Sequence, residues 1–112
     1  MTDMIPPNVK PLPDETWRPI PGFQNYFASS LGRIASKPRG STTGGLLKQN
    51  ISQPGRPRVS VAKFPGWPQT RARVSRLVTL AFHGPCPAGG EAAHHDGDTM
   101  NNVATNLFWR TA

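Results

Sequence analysis

Apolar and polar positions alternate over short stretches for most of the chain, and only once does the period lengthen. Tyr26, Phe27 and Ala28, then Arg33, Ile34 and Ala35, read as two short strands joined by a turn over 30–33. Leu46, Leu47, Lys48 and Gln49 predict another strand. Residues 58–63 alternate strictly, with Val59 and Val61 on one face and Arg58, Ser60 and Ala62 on the other. Pro65, Gly66, Trp67 and Pro68 predict a hairpin tip, and 71–74 the returning strand. Then Leu77, Val78, Leu80, Ala81 and Phe82 follow helical spacing, with Ser75 placed to cap the start and Gly84-Pro85 the stop. The pattern predicts an α+β fold of short antiparallel strands with one main helix. The Pro-rich, aperiodic residues 1–13 predict a flexible or extended arm, residues 14–74 a basic β-rich module, and residues 75–112 the helix followed by a hairpin.

Composition narrows this picture. A chain of 112 residues with eleven Gly and thirteen Pro, roughly twice the usual share, has room for a small core and many turns. It is too short for a dinucleotide-binding fold plus a substrate domain. No apolar run reaches the length of a membrane span, and no signal architecture precedes residue 14, which predicts a cytoplasmic protein. The single cysteine, Cys86, excludes an intrachain disulfide and a Cys-based zinc site.

The net charge of +7 is unevenly placed. All six acids lie outside positions 16–90, a block that holds eleven cations, most of them Arg. Such a field suits a polyanion, and Arg suits bidentate contact with phosphate. The candidate nucleic-acid-binding residues are Arg33, Lys37, Arg39, Arg56, Arg58, Arg71, Arg73 and Arg76. DNA is the expected partner and RNA the second candidate; no membrane partner is expected. Trp17 and Trp109 are expected in the core, Trp67 exposed at its tip, and His83 capping the helix C-terminus.

The candidate chemistry lies in the tail. His94 and His95 precede Asp96-Gly97-Asp98, which places a neutral-pH base beside a carboxylate just before a turn. Asn101, Asn102 and Asn106 supply amides that can brace a loop, and Leu107-Phe108-Trp109 returns as an apolar strand. The spacing predicts a hairpin with a wide, Asn-pinned loop and a histidine on its first strand.

This ordered set, His94-x-Asp96-Gly97-Asp98 followed by Asn101-Asn102 and Asn106-Leu107-x-Trp109, resembles the HNH homing-type endonucleases common in phages. Upstream, Val74-Ser75-Arg76-Leu77-Val78 and Ala81-Phe82 resemble that family's helix. The stretch from Trp17, Ile20 and Gly22 through Tyr26 to Gly32 and Ile34 resembles the module that accompanies it. The resemblance implies a ββα-metal hairpin, incomplete here, and a metal-dependent DNA endonuclease or nickase acting on backbone phosphodiesters. It implies His94 as general base, Asn106 as the loop-bracing asparagine, and a divalent cation, Mg²⁺ or alternatively Mn²⁺, with Asp96 and His95 as candidate ligands. Three departures accompany it: Ala93 stands where the family often has a metal-binding Asp, Ser75 where it has a helix-start His, and the sequence ends at Ala112 before the helix that carries a further ligand. Shifting the register by one would make His94 the ligand and His95 the base. The alternative function is a catalytically inactive nucleic-acid-binding or particle-associated structural protein that retains the fold.

Overall fold

The computed structural model describes residues 6, 8–38, 44–51, 55–62 and 68–111. Arg39, Lys63 and the Trp67 tip lie outside the described residues.

Four strands form an antiparallel meander: β1 (Trp17–Pro19), β2 (Tyr26–Ser29), β3 (Ile34–Ser36) and the two-residue β4 (Gly45–Leu46). The turn between β2 and β3 falls where the sequence places it. It closes because the buried Ser29 hydroxyl accepts the N–H groups of Leu31 (3.2 Å) and Arg33 (2.9 Å), while Gly32 takes φ +91°, a conformation that favours glycine. β1 is an addition to the pattern-based reading. Its Trp17 is buried and its Arg18 and Pro19 are exposed, too short a run to register as alternation. The strand expected over 46–49 contracts to Gly45–Leu46.

β5 (Arg58–Val61) and β6 (Thr70–Arg73) pair as a ribbon, with Arg58 opposite Arg73 and Ser60 opposite Arg71. Val59 and Val61 face the core as the alternation predicts. Ala62 does not join Arg58 and Ser60 on the outer face: the strand ends at Val61, and Ala62 turns inward so that its N–H reaches the Tyr26 hydroxyl at 3.2 Å. Helix α1 (Val74–His83) follows directly, and Gly84 ends it. Ser75 is not its cap. The N-cap position is Arg73, no side chain caps the first turn, and Ser75 sits buried within it. β7 (Glu91–His94) and β8 (Leu107–Arg110) form the closing hairpin, with a short 3₁₀ helix (Ala104–Asn106) leading into β8. Among the described residues no helix is long and apolar enough to cross a membrane.

One core joins these parts. Ile20, Tyr26, Ala28 and Ile34 from the meander meet Val59 and Val61 from the ribbon, Val74, Leu77 and Val78 from α1, and Ala104 and Leu107 from the hairpin. A second, smaller cluster packs Val9 against Trp17, Phe27 and Ala35. Val9 thus seats the described part of the N-terminal segment on the sheet. His83 does not cap α1 either: its Nε2 donates to the Ala104 carbonyl at 2.7 Å and ties the helix to the hairpin loop.

Arg33 has a structural role. Its guanidinium pairs with Glu15, whose side chain is fully buried, donates to the Lys10 carbonyl at 3.0 Å, and lies over the Trp17 ring at 5.4 Å. Burial alone would raise the Glu15 carboxyl, but the hydrogen bonds from Arg33 and from the Leu12 N–H outweigh it and hold the group at about 2. In the unfolded chain this carboxyl protonates near its ordinary 4.5, so the stabilisation is complete above that pH and is lost as pH falls towards 2. We expect Glu15→Gln to cost about 3 kcal/mol at pH 7, because it leaves Arg33 half-buried without its anion. Urea unfolding measured from pH 7 to pH 2 should show the variant and the parent converging at the acid end.

Candidate active site

The hairpin places His94 at the end of β7, opposite Leu107, where the half-buried ring lines a cleft. The ring is fixed by Asn102: the two side chains meet at 2.8 Å between His94 Nε2 and Asn102 Oδ1. An amide oxygen accepts, so Nε2 donates in this contact. A histidine oriented by such a partner is the arrangement that proton abstraction needs. The sequence reading credits Asn102 only with bracing the loop; its contact with the base is new. The adjacent Asn101-Asn102 pair is the signal, but only folding separates an outward brace from a buried partner.

Asn102 is itself buried and pinned from behind. A Cβ on Gly32 would stand 3.0 Å from the Asn102 carbonyl oxygen, so the β2–β3 turn and the hairpin loop touch at closest approach. Ala104 N–H donates to the Ser30 carbonyl at 2.8 Å beside it, and Gln49 Nε2 holds the Gly32 carbonyl at 2.9 Å.

The rest of the loop is organised by Asn106 and Asp96. Asn106 Nδ2 donates to Asp96 Oδ1 (2.9 Å) and to the Asn101 carbonyl (2.9 Å), and its Oδ1 accepts the Asp96 N–H at 3.2 Å. Asp96 also accepts from Asn101 Nδ2 at 2.9 Å and from the Asp98 N–H at 2.8 Å. Hydrogen bonds from Asn101, then Asn106, then the Asp98 backbone hold its carboxyl at about 2. Asp96 is thus the hub of the loop and does not line the His94 cleft. Nor does His95, whose exposed ring stacks on Phe108 with centroids 4.3 Å apart. The one-residue register shift therefore has no base in the cleft.

The cleft, of about 490 Å³, gathers His94, Ser75, Thr99, Glu91, Arg56, Arg73 and Arg110. Glu91 pairs with Arg110, which lowers its carboxyl; the charges of Arg73 and Arg56 add to this. Arg58 and Arg71 instead line a second groove with Lys48, Lys37 lines a third recess with Phe23 and Tyr26, and Arg76 lies over the Trp109 ring at 5.7 Å. Of the eight cations proposed from sequence, the structure brings Arg56 and Arg73 into the cleft that His94 lines. A hard cation needs several oxygen ligands. Ala93 offers none, Glu91 is already paired, and among the described residues no three His, Cys, Asp or Glu side chains cluster to hold an ion. The described donor set does not by itself make a cation site.

Comparison with known proteins agrees with this architecture. Residues 15–62 match the NUMOD4 motif, and residues 72–112 match the HNH endonuclease family. The DNA endonuclease I-HmuI of Bacillus phage SP01 is 32% identical over 96 residues, which cover 85% of this chain and 52% of that protein. A solved structure described as "DNA binding and cleavage by the HNH homing endonuclease I-HmuI" superposes with a TM-score of 0.70 at 32% identity, again covering 85% of this chain and 52% of the other. The chain spans about half the length of the relatives it matches.

If Gly32 holds Asn102 against His94, distant and local substitutions should have one signature. Gly32→Ala forces an L side chain into positive φ and into the Asn102 backbone, at a cost of about 2 kcal/mol. Asn102→Ala removes the acceptor at about 1–2 kcal/mol. In NMR spectra both should displace the His94 ring resonances in the same sense, while Leu46→Ala, exposed on β4, should leave them in place.

Proposed function

From its membership of the HNH homing-type endonuclease family, to which the chain belongs, we propose that it cleaves DNA by hydrolysing backbone phosphodiesters. The observation that carries this reading is the His94 ring, held by Asn102, beside a cleft lined by Arg56 and Arg73. With Nε2–H held by Asn102, Nδ1 accepts a proton from water. The resulting hydroxide attacks the phosphorus, and the P–O bond to the departing sugar oxygen breaks. Guanidinium groups at Arg56 and Arg73 meet the non-bridging oxygens, where negative charge accumulates. Asn106 acts at one remove: by fixing Asp96 and the Asn101 carbonyl it sets the loop that presents Asn102.

DNA is the substrate of this proposal, in line with the named activity of the related phage enzyme, and RNA is the weaker candidate. A phage-encoded chain of this kind would act in the host cytoplasm. HNH endonucleases in general depend on a divalent cation, and Mg²⁺ is the ion we assign, with Mn²⁺ as a substitute. No step above is routed through it, because the described residues do not form its site. The family and structural matches do not favour an inactive or particle-associated role.

Supercoiled plasmid incubated with the purified protein and Mg²⁺ or Mn²⁺ should be nicked. His94→Ala should lower the rate by on the order of 10²–10⁴, and a chelator should abolish it. Plasmid binding without nicking, unchanged in His94→Ala, would overturn the reading.

A further inference from the structure

Two residues inside the spacing that marks the site have no role in the proposed chemistry. The open positions of His94-x-Asp96 and Leu107-x-Trp109 are His95 and Phe108, while the loop is braced through Asp96, Asn101 and Asn106. Both open positions hold aromatic rings, and the fold lays one on the other, with centroids 4.3 Å apart and planes 23° from parallel. The ladder explains the contact. His95 N–H donates to the Asn106 carbonyl at 2.8 Å, one step past the end of β7. Alternation then turns the His94 ring toward Asn102 and the His95 ring to the other face of the hairpin. Phe108 projects on that second face, opposite Ala93.

The stack lies at the rim of the cleft. Phe108 is half-buried and lines the cleft with His94, Arg56 and Arg73, whereas His95 is exposed outside it. Phe108 covers one face of the imidazole, and among the described residues no other ring or charged group meets it. A flat ring, backed on one side and open on the other, is a surface on which a nucleobase stacks. The arginines of the adjoining cleft suit the backbone to which such a base is attached. In an intact duplex both faces of a base are covered by its neighbours, so a base that reaches His95 has left its stack.

We propose that His95, backed by Phe108, is a stacking platform for an unpaired nucleobase of the strand that occupies the cleft, and that this contact favours DNA that is locally single-stranded. The inference rests on the nucleic-acid reading above and adds to it the state of the substrate. His95 is a binding residue here, and its ring takes no part in the proton transfer assigned to His94.

Binding is read by fluorescence anisotropy, with a labelled single-stranded oligonucleotide and with the blunt duplex of the same sequence, in the presence of a chelator so that neither is cut. His95→Ala should weaken binding of the single strand about tenfold, the size of one base–aromatic stack, and that of the duplex by less than about twofold. His95→Phe, a ring without charge, should bind the single strand as the parent does. His95→Lys, a charge without a ring, should lose affinity as His95→Ala does. Every one of these variants keeps the backbone bond from residue 95 to Asn106, so an intact fold is expected, with Tm as its check. Equal losses on single strand and duplex, or a His95→Lys variant that binds like the parent, would overturn the platform. Plasmid nicking in Mg²⁺ separates the two claims. Nicking without ring-dependent binding removes the platform alone, ring-dependent binding without nicking removes the nuclease reading alone, and a chain that binds neither oligonucleotide removes both.

Discussion

The site depends on a buried amide. Asn102 must satisfy its polar side chain inside the protein, and the acceptor it offers goes to His94. A buried polar group of this kind is costly unless every partner is in place. Its place is set by the β2–β3 turn, whose Gly32 leaves no room for a Cβ and whose Ser30 carbonyl takes the Ala104 N–H. His94 is thus oriented by a residue eight positions along its own loop, itself set by a glycine turn far upstream.

The positive charge resolves into two populations once the chain is folded. Arg33 pairs with the buried Glu15 beneath Trp17, Arg110 with Glu91, and Arg76 lies on Trp109; these guanidinium groups hold elements together through ion pairing and ring contact. Arg56 and Arg73 converge on the cleft, while Arg58, Arg71 and Lys48 line a second groove along the ribbon. The formal +7 therefore overstates the charge available to a ligand and understates its focus. A few arginines gathered at one cleft concentrate the positive field more than an evenly basic surface does.

Much of this was legible in the residues. The α1 segment, the ribbon and the hairpin loop each carry a local period or turn signal strong enough to survive packing, and the spacing from His94 to Trp109 marks the site. What was not legible depends on contacts distant in sequence. Arg33 is indistinguishable from Arg73 in a linear reading, because Glu15 comes to it only when β1 pairs with β2. Ser75 has the residue type of a cap but stands two positions past the N-cap Arg73, since β6 runs into α1 without a loop. Asp96 has the chemistry of a ligand, yet the nearby asparagines occupy its oxygens before an ion could.

Taken separately, the two matched segments, 15–62 and 72–112, suggest two independent modules. The packing argues otherwise. Leu107 and Ala104 of the hairpin share a core with Ile20, Tyr26 and Ile34 of the meander, and α1 stands between them, contributing Val74, Leu77 and Val78. A two-stranded hairpin is marginal in water by itself; here Leu107 of its second strand is buried in a core to which both segments contribute. The Gly32–Asn102 contact ties the meander to the residue that holds the His94 ring. The ribbon and the strand that carries His94 are therefore parts of one packed unit.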